Sequence, residues 1–145
     1  MIEVNLNDPH VHTHLAPFVS VENLQRIVTP MRQVVSAPLV VKLPSKVSLP
    51  LATVTAVLLD AGIPATVCHN TSINDEPSQV QSALHASRGK LDVIGVGGVS
   101  TGAEALTVLQ SGVKAIQIAS AVVREGVSAF TRLKRELADN LESLV

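Results

Sequence analysis

Two turns carry the residues best suited to hold an anion. In VIGVGGVSTGAEAL, residues 93–106, an apolar run enters Gly97-Gly98, and Thr101 then stands three residues before Glu104. That spacing is a capping box, the signature of a helix start. Backbone N–H groups of a glycine turn and of a helix N-terminus point outward and favour negative charge. The next unit ends its apolar run in Ala119-Ser120, followed by a short helical turn at Ala121–Arg124 before Gly126. In (β/α) barrels a phosphate site is often built from the loops after the last two strands plus a short extra helix. A Gly-Gly turn followed by a Ser-headed turn therefore points to phosphate binding, although two glycines also make a plain tight turn.

Other residues offer different chemistry. Asp8-Pro9-His10-Val11-His12 spells Asp-x-His-x-His, a pattern that zinc amidohydrolases carry after a first barrel strand, and His14 extends the alternation. Histidines two apart can ligate one divalent metal. That reaction also needs a strand-borne Lys, further His and a late Asp; Lys42 and His69 end strands, but no late Asp follows convincingly. Lys42 comes after three apolar residues, where its ammonium either meets a ligand or snorkels to solvent. Asn70-Thr71 stand at the end of an apolar run, a position that a routine loop would also fill. Cys68, the one cysteine, has no cationic neighbour and reads as a small core residue. No Gly-x-Ser-x-Gly elbow is present, so a serine nucleophile has no support.

Composition narrows the partners. Hydrophobic residues make up 46% and charged residues 16%, a globular balance. Two Phe with no Trp or Tyr leave no stacking platform for single-stranded nucleic acid. A net charge of -1 without a basic cluster offers nothing to DNA or to an anionic membrane. No apolar run approaches the roughly 18 residues of a membrane span, and MIEVNLNDPH lacks the regions of a signal peptide. The expectations are a small-molecule substrate, no nucleic acid, no membrane and a cytoplasmic location.

The elements that must position these residues alternate along the chain. Five apolar runs read as strands: Ile2–Leu6, Leu39–Leu43, Ala65–Cys68, Val93–Val96 and Ala115–Ile118. Their unbroken Val/Ile/Leu character suits parallel strands covered on both faces. Val21, Leu24, Ile27, Val28, Met31, Val34 and Val35 mark one helix face, which Pro30 should kink or split. Val127, Phe130, Leu133, Leu137, Leu141 and Leu144 mark another, with Arg132, Lys134, Arg135, Glu136 and Asp139 on an ordinary solvated face. LLDAGIPATV and VLQSGVKAIQ share one plan, each ending a helix at a glycine, Gly62 or Gly112, before a strand. No linker or composition shift divides the chain, so residues 1–145 are expected to form one domain. Five βα units cannot close an eight-stranded barrel, and an open sheet exposes two edges. The expectation is a partial (β/α)8 barrel of about five strands, completed by a homo-oligomer or a complementary chain, or else an open doubly wound sheet.

The stretch IGVGGVSTGAEALTVLQSGVKAIQIASAVVREGVSAFTRLKRELADNL resembles the C-terminal region of the dihydroorotate dehydrogenases. The resemblance implies an FMN-dependent oxidoreductase, linked to pyrimidine biosynthesis, whose two C-terminal loops hold the FMN phosphate; these positions are Gly97, Gly98, Ala119 and Ser120. PLVVKLP, residues 38–44, resembles the strand whose lysine contacts the flavin ring, here Lys42. VCHNTSI, residues 67–73, resembles the strand ending in Asn-Thr, which implies flavin or substrate contacts for Asn70 and Thr71. IEVNLNDPHV resembles the Glu-Leu-Asn-Leu-Ser-Cys-Pro-Asn pattern, which makes Asn5 a flavin and substrate contact. Two positions depart from it. The catalytic base, Cys or Ser in the family, is Asp8, and a substrate-binding Asn is His10. An Asp can abstract a proton when burial raises its pKa, but its charge would repel an anionic orotate. The resemblance reaches only the last five of the family's eight strands. It therefore leaves three readings open: hydride transfer through flavin, a non-catalytic truncated barrel binding FMN or a partner subunit, and the metal hydrolase.

Overall fold

The computed structural model describes residues 1–6, 20–70 and 78–143. Among the described residues five strands alternate with six helices: β1 (Ile2–Asn5), α1 (Val21–Val34), β2 (Leu39–Lys42), α2 (Leu51–Asp60), β3 (Ala65–His69), α3 (Gln79–Ser87), β4 (Asp92–Val96), α4 (Gly102–Gln110), β5 (Ala115–Gln117), α5 (Ser120–Glu125) and α6 (Ser128–Glu142). The strands form one sheet in chain order, β1-β2-β3-β4-β5, and every pair is parallel. A doubly wound sheet reverses its order at a switch point, so that alternative is corrected: sequential order is the arrangement of a (β/α) barrel.

Alternation along each strand separates two apolar layers. Leu39, Val41, Cys68 and Val93 join Leu24, Val28, Val54, Leu58, Val80 and Val108 of the helices in the main core. Val40, Ala65, Val67, Ile94 and Val96 form a separate cluster on the opposite face. Both layers exclude water, which is why these strands read as continuous apolar runs rather than alternating ones. The register carries the second face along the rim: Asn5 pairs with Lys42, Lys42 with Val67, His69 with Val96, and Val96 with Gln117. A residue shares its face with its in-register partner and with residues two away, so Asn5, Lys42, His69 and Gln117 all lie on that face.

Curvature follows from one long-range contact. The Gln117 Nε2 donates to the Glu3 carboxylate, joining the two edge strands. Four spacings of about 4.8 Å would hold those edges roughly 19 Å apart in a flat sheet. Two side chains of this length joined by one hydrogen bond cannot span that gap. The sheet is therefore curled around its second face, which is a barrel interior.

The helices follow the expected pattern with local exceptions. Gly62 and Gly112 take φ values of 70° and 104° just past α2 and α4, as a left-handed stop requires. Pro30 neither ends nor splits α1, which runs unbroken to Val34. Lying in the last turns, it forgoes one amide bond while Ser20 caps the other end through the Asn23 N–H at 3.2 Å. Val34 is 83% exposed and does not belong to the core stripe. On α6, Leu133 is buried, while Phe130 and Leu141 remain about half exposed and Val127, before its first turn, is exposed.

Candidate functional site at the C-terminal rim of the sheet

Parallel strands end together, and each end delivers one candidate side chain or turn. Asn5 closes β1, Lys42 closes β2, Asn70 follows β3, Gly97-Gly98 follow β4, and Ala119-Ser120 open α5 after β5. Asp8, Thr71 and the His10, His12 and His14 run lie outside the described residues. Among the described residues no group of three or more His, Cys, Asp or Glu could hold a metal ion.

The glycine turn is built by backbone conformation. Gly97 and Gly98 have φ values of 96° and 71°, the left-handed region that side chains other than glycine avoid. Neither glycine N–H donates to a partner among the described residues. The start of α4 differs from expectation. Thr101 Oγ1 accepts from the Glu104 N–H at 3.2 Å, and Glu104 Oε2 accepts from Ser100 and Thr101 at 2.7 and 3.0 Å. The Gly102 N–H donates to Glu136 Oε2 at 2.7 Å. The capping box is present, but these first amides already serve the protein's own carboxylates. At the α4 terminus the Ser100, Thr101 and Gly102 amides are thus engaged within the protein, whereas the glycine-turn amides have no partner among the described residues.

Glu136 and Arg132, expected on a solvated face, are part of this construction. Arg132 meets Glu125 through Nε at 2.7 Å and NH2 at 2.8 Å, and Glu136 through NH1 at 2.8 Å. Its NH2 also donates to the Ser100 carbonyl at 3.0 Å, while Arg124 reaches Ser100 Oγ at 3.1 Å. Ser100 thus ties the β4–α4 loop to α5 and α6. The Arg132 hydrogen bond holds the Glu125 and Glu136 carboxyls below their usual range, and the Ser100 and Thr101 amides do the same for Glu104. Gly102 permits the close approach: a Cβ there would lie 2.4 Å from backbone and side-chain atoms of Glu136 and from the Leu137 nitrogen.

Across the rim, the β3 end is braced by Gln79. Its Oε1 accepts from the His69 N–H at 2.9 Å, and its Nε2 donates to the Pro44 carbonyl at 2.8 Å. The Asn70 N–H donates to the Val96 carbonyl at 2.8 Å, binding that loop to β4. The His69 Nε2 is buried and has no hydrogen-bond partner among the described residues. Burial, then the charge of Lys42, lowers the His69 pKa, with a Leu43 backbone hydrogen bond opposing them. The sequence offered a signal for this residue: it stands two positions after Val67 and so shares the interior face. The Arg132 and Glu136 roles had no such signal.

Comparisons with known proteins bear on the family and the fold. A family model described as dihydroorotate dehydrogenase matches residues 78–141. A quinone-type dihydroorotate dehydrogenase of Xanthobacter autotrophicus is 30% identical over an alignment of 158 positions, covering 92% of this chain and 43% of that protein. One from Rhodospirillum rubrum is 33% identical over 116 residues, covering 64% of this chain and 32% of the relative. A ligand-free dihydroorotate dehydrogenase structure from Eimeria tenella superposes with a TM-score of 0.77 at 17% identity, covering 98% of this chain and 51% of the other. The structure of that enzyme with ferulenol gives 0.73 at 17% identity, with 98% and 50% covered. The structural matches establish the fold. The chain spans between about a third and a half of the length of these relatives.

Proposed function

This chain belongs to the dihydroorotate dehydrogenase family over the βα units it contains, and from that premise we propose that it binds FMN at the C-terminal rim of its sheet. The whole of residues 1–145 acts as one such unit. One observation supports the reading: the β4–α4 loop that begins at Gly97-Gly98 is tied through Ser100 to α5, which Ala119-Ser120 open, and to α6. The unengaged glycine N–H groups and the orphaned His69 Nε2 are groups that a bound phosphoester and flavin ring would satisfy.

In this reading Gly97, Gly98, Ala119 and Ser120 hold the phosphate. Lys42, Asn5, Asn70 and Thr71 face the flavin or a small-molecule substrate, and Asp8 is the candidate base. FMN would supply hydride transfer. Asp8 would take a proton only if its surroundings raised its pKa, and its charge argues for a substrate less anionic than an orotate. Titrating the protein with FMN tests the reading. Saturable binding with a shifted flavin absorbance is expected, Gly98→Val should abolish it through the φ of 71°, and absence of binding at high FMN concentration would sink it.

A second reading is favoured by the strand edges. Three of the four β1 residues are exposed, and so is Ala115 of β5, so a second copy or a complementary chain would complete the barrel wall. In that assembly the rim site would be shared, and activity would require it.

A further inference from the structure

A separate pocket lies on the helix side of the sheet, away from the rim. Ala105 and Leu109 of α4, Ile116 of β5, and Phe130, Leu133 and Leu137 of α6 line about 220 Å3 of apolar space. Ile116 precedes Gln117, so it faces the outer layer while Gln117 faces the interior. Burial grades from floor to mouth: Ala105 and Leu133 are 6% and 7% exposed, and Phe130 is 49% exposed. Such apolar space holds water poorly and gains from an apolar occupant.

One charged group, Lys134, stands among the lining residues, one turn from both Phe130 and Leu137. Its neighbours three and four positions away on α6 are Phe130, Thr131, Leu137 and Ala138, none of them acidic. Lys134 makes no ion pair among the described residues. A lysine stem covers apolar wall while its ammonium stays at the water boundary, which places a cation at the pocket mouth. Size limits the rest of the occupant. A six-carbon ring fills an apolar cavity of about 150 Å3, so this one takes roughly nine carbons. We propose that the α4–β5–α6 pocket binds a small monocarboxylate, its apolar tail against Ile116 and Leu133 and its carboxylate on Lys134. The site is independent of the rim and of whether FMN binds there.

The test titrates the full chain with octanoate, octan-1-ol and octylamine, followed by calorimetry and by the methyl resonances of Ile116 and Leu133. Octanoate should bind at one saturable site, about threefold tighter than octan-1-ol, the scale of an exposed ion pair. Octylamine should bind most weakly. Lys134→Glu changes an exposed side chain and should reverse that order. Each methylene removed from octanoate should weaken binding about fourfold, and lengthening the tail past roughly ten carbons should add little. Ala105→Leu fills the floor and should weaken octanoate at least about tenfold. If that variant does not fold, the Ile116 and Leu133 methyl shifts in wild type report the same contact. Absent saturation, an order unchanged by Lys134→Glu, or methyl shifts that miss the pocket overturn the proposal. Octanoate uptake that appears only on dilution to monomer would assign the groove to a second copy and overturn it as well.

Discussion

Cys68 and His69 are consecutive residues on opposite faces of β3, and burial moves their titrations in opposite directions. Burial pushes the Cys68 thiol up to about 12, against a minor opposing hydrogen bond with Thr66. At pH 8 that leaves on the order of one thiolate in ten thousand. A maleimide or disulfide reagent should therefore leave the native protein unlabelled and react fully after denaturation; rapid native labelling would contradict the buried placement. His69 titrates below its usual 6.5. For a histidine held neutral in the fold, the unfolded chain takes up the proton first as pH falls. Stability is whole above about 6.5 and is lost progressively as pH drops toward the lowered folded value. The urea midpoint should decline across that interval, and His69→Gln should flatten the decline. Glu104, Glu125 and Glu136 are held below 4.5, so their loss belongs to a separate, more acidic window. An unchanged slope in His69→Gln would assign the near-neutral loss elsewhere. The interior position of His69 could be read from strand alternation. The empty Nε2 could not, because it depends on which groups β2 and α3 bring alongside.

Elements impose their own test at the α4–α6 contact. Gly102→Ala would set a Cβ 2.4 Å from the α6 backbone, so the helices must separate. A cost of about 1–3 kcal/mol is expected from such overpacking, measured as a lower urea midpoint with an unchanged slope. Gly126→Ala meets no atom within 4 Å but has a φ of 68°, so only backbone strain of about 1 kcal/mol is expected. Comparable losses at both positions would show that the close approach is unimportant. Arg132→Gln removes the ion pairs to Glu125 and Glu136 and the tie to Ser100. Because these side chains are about 30% exposed, the melting temperature should change little. FMN affinity should fall several-fold, since the two loops lose their common anchor. These contrasts mirror what the sequence discloses. Thr101 and Glu104 lie three apart, and their capping box was legible at once. Strand positions were also legible, to within a residue or so. The Glu136–Gly102 and Arg132–Ser100 contacts join residues 34 and 32 apart, so no local period announces them. Val34 matched the helical stripe in the sequence, yet it is 83% exposed while Leu24 and Val28 of that stripe are buried.

At the scale of the molecule, sequential parallel order and curvature decide what the sheet can become. The apolar runs foretold five parallel strands, but not their spatial order, which depends on where each helix returns the chain. The Glu3–Gln117 contact across the interior is likewise invisible in the separate strands. With both edges open, sedimentation velocity should find a species above the 15.2 kDa chain mass that grows with concentration. A monomer at every concentration would remove the self-assembly reading and leave a complementary chain. The Gly102–Glu136 hydrogen bond has a consequence in time as well as space. When α4 leaves the ribosome, its first amide lacks its acceptor until 34 more residues have been made. At roughly 5–20 residues per second this is an interval of about 2 to 7 seconds. The rim loops can reach their final geometry only after that pause, so the last helix acts as a timer for a site that it braces through Arg132 and Glu136.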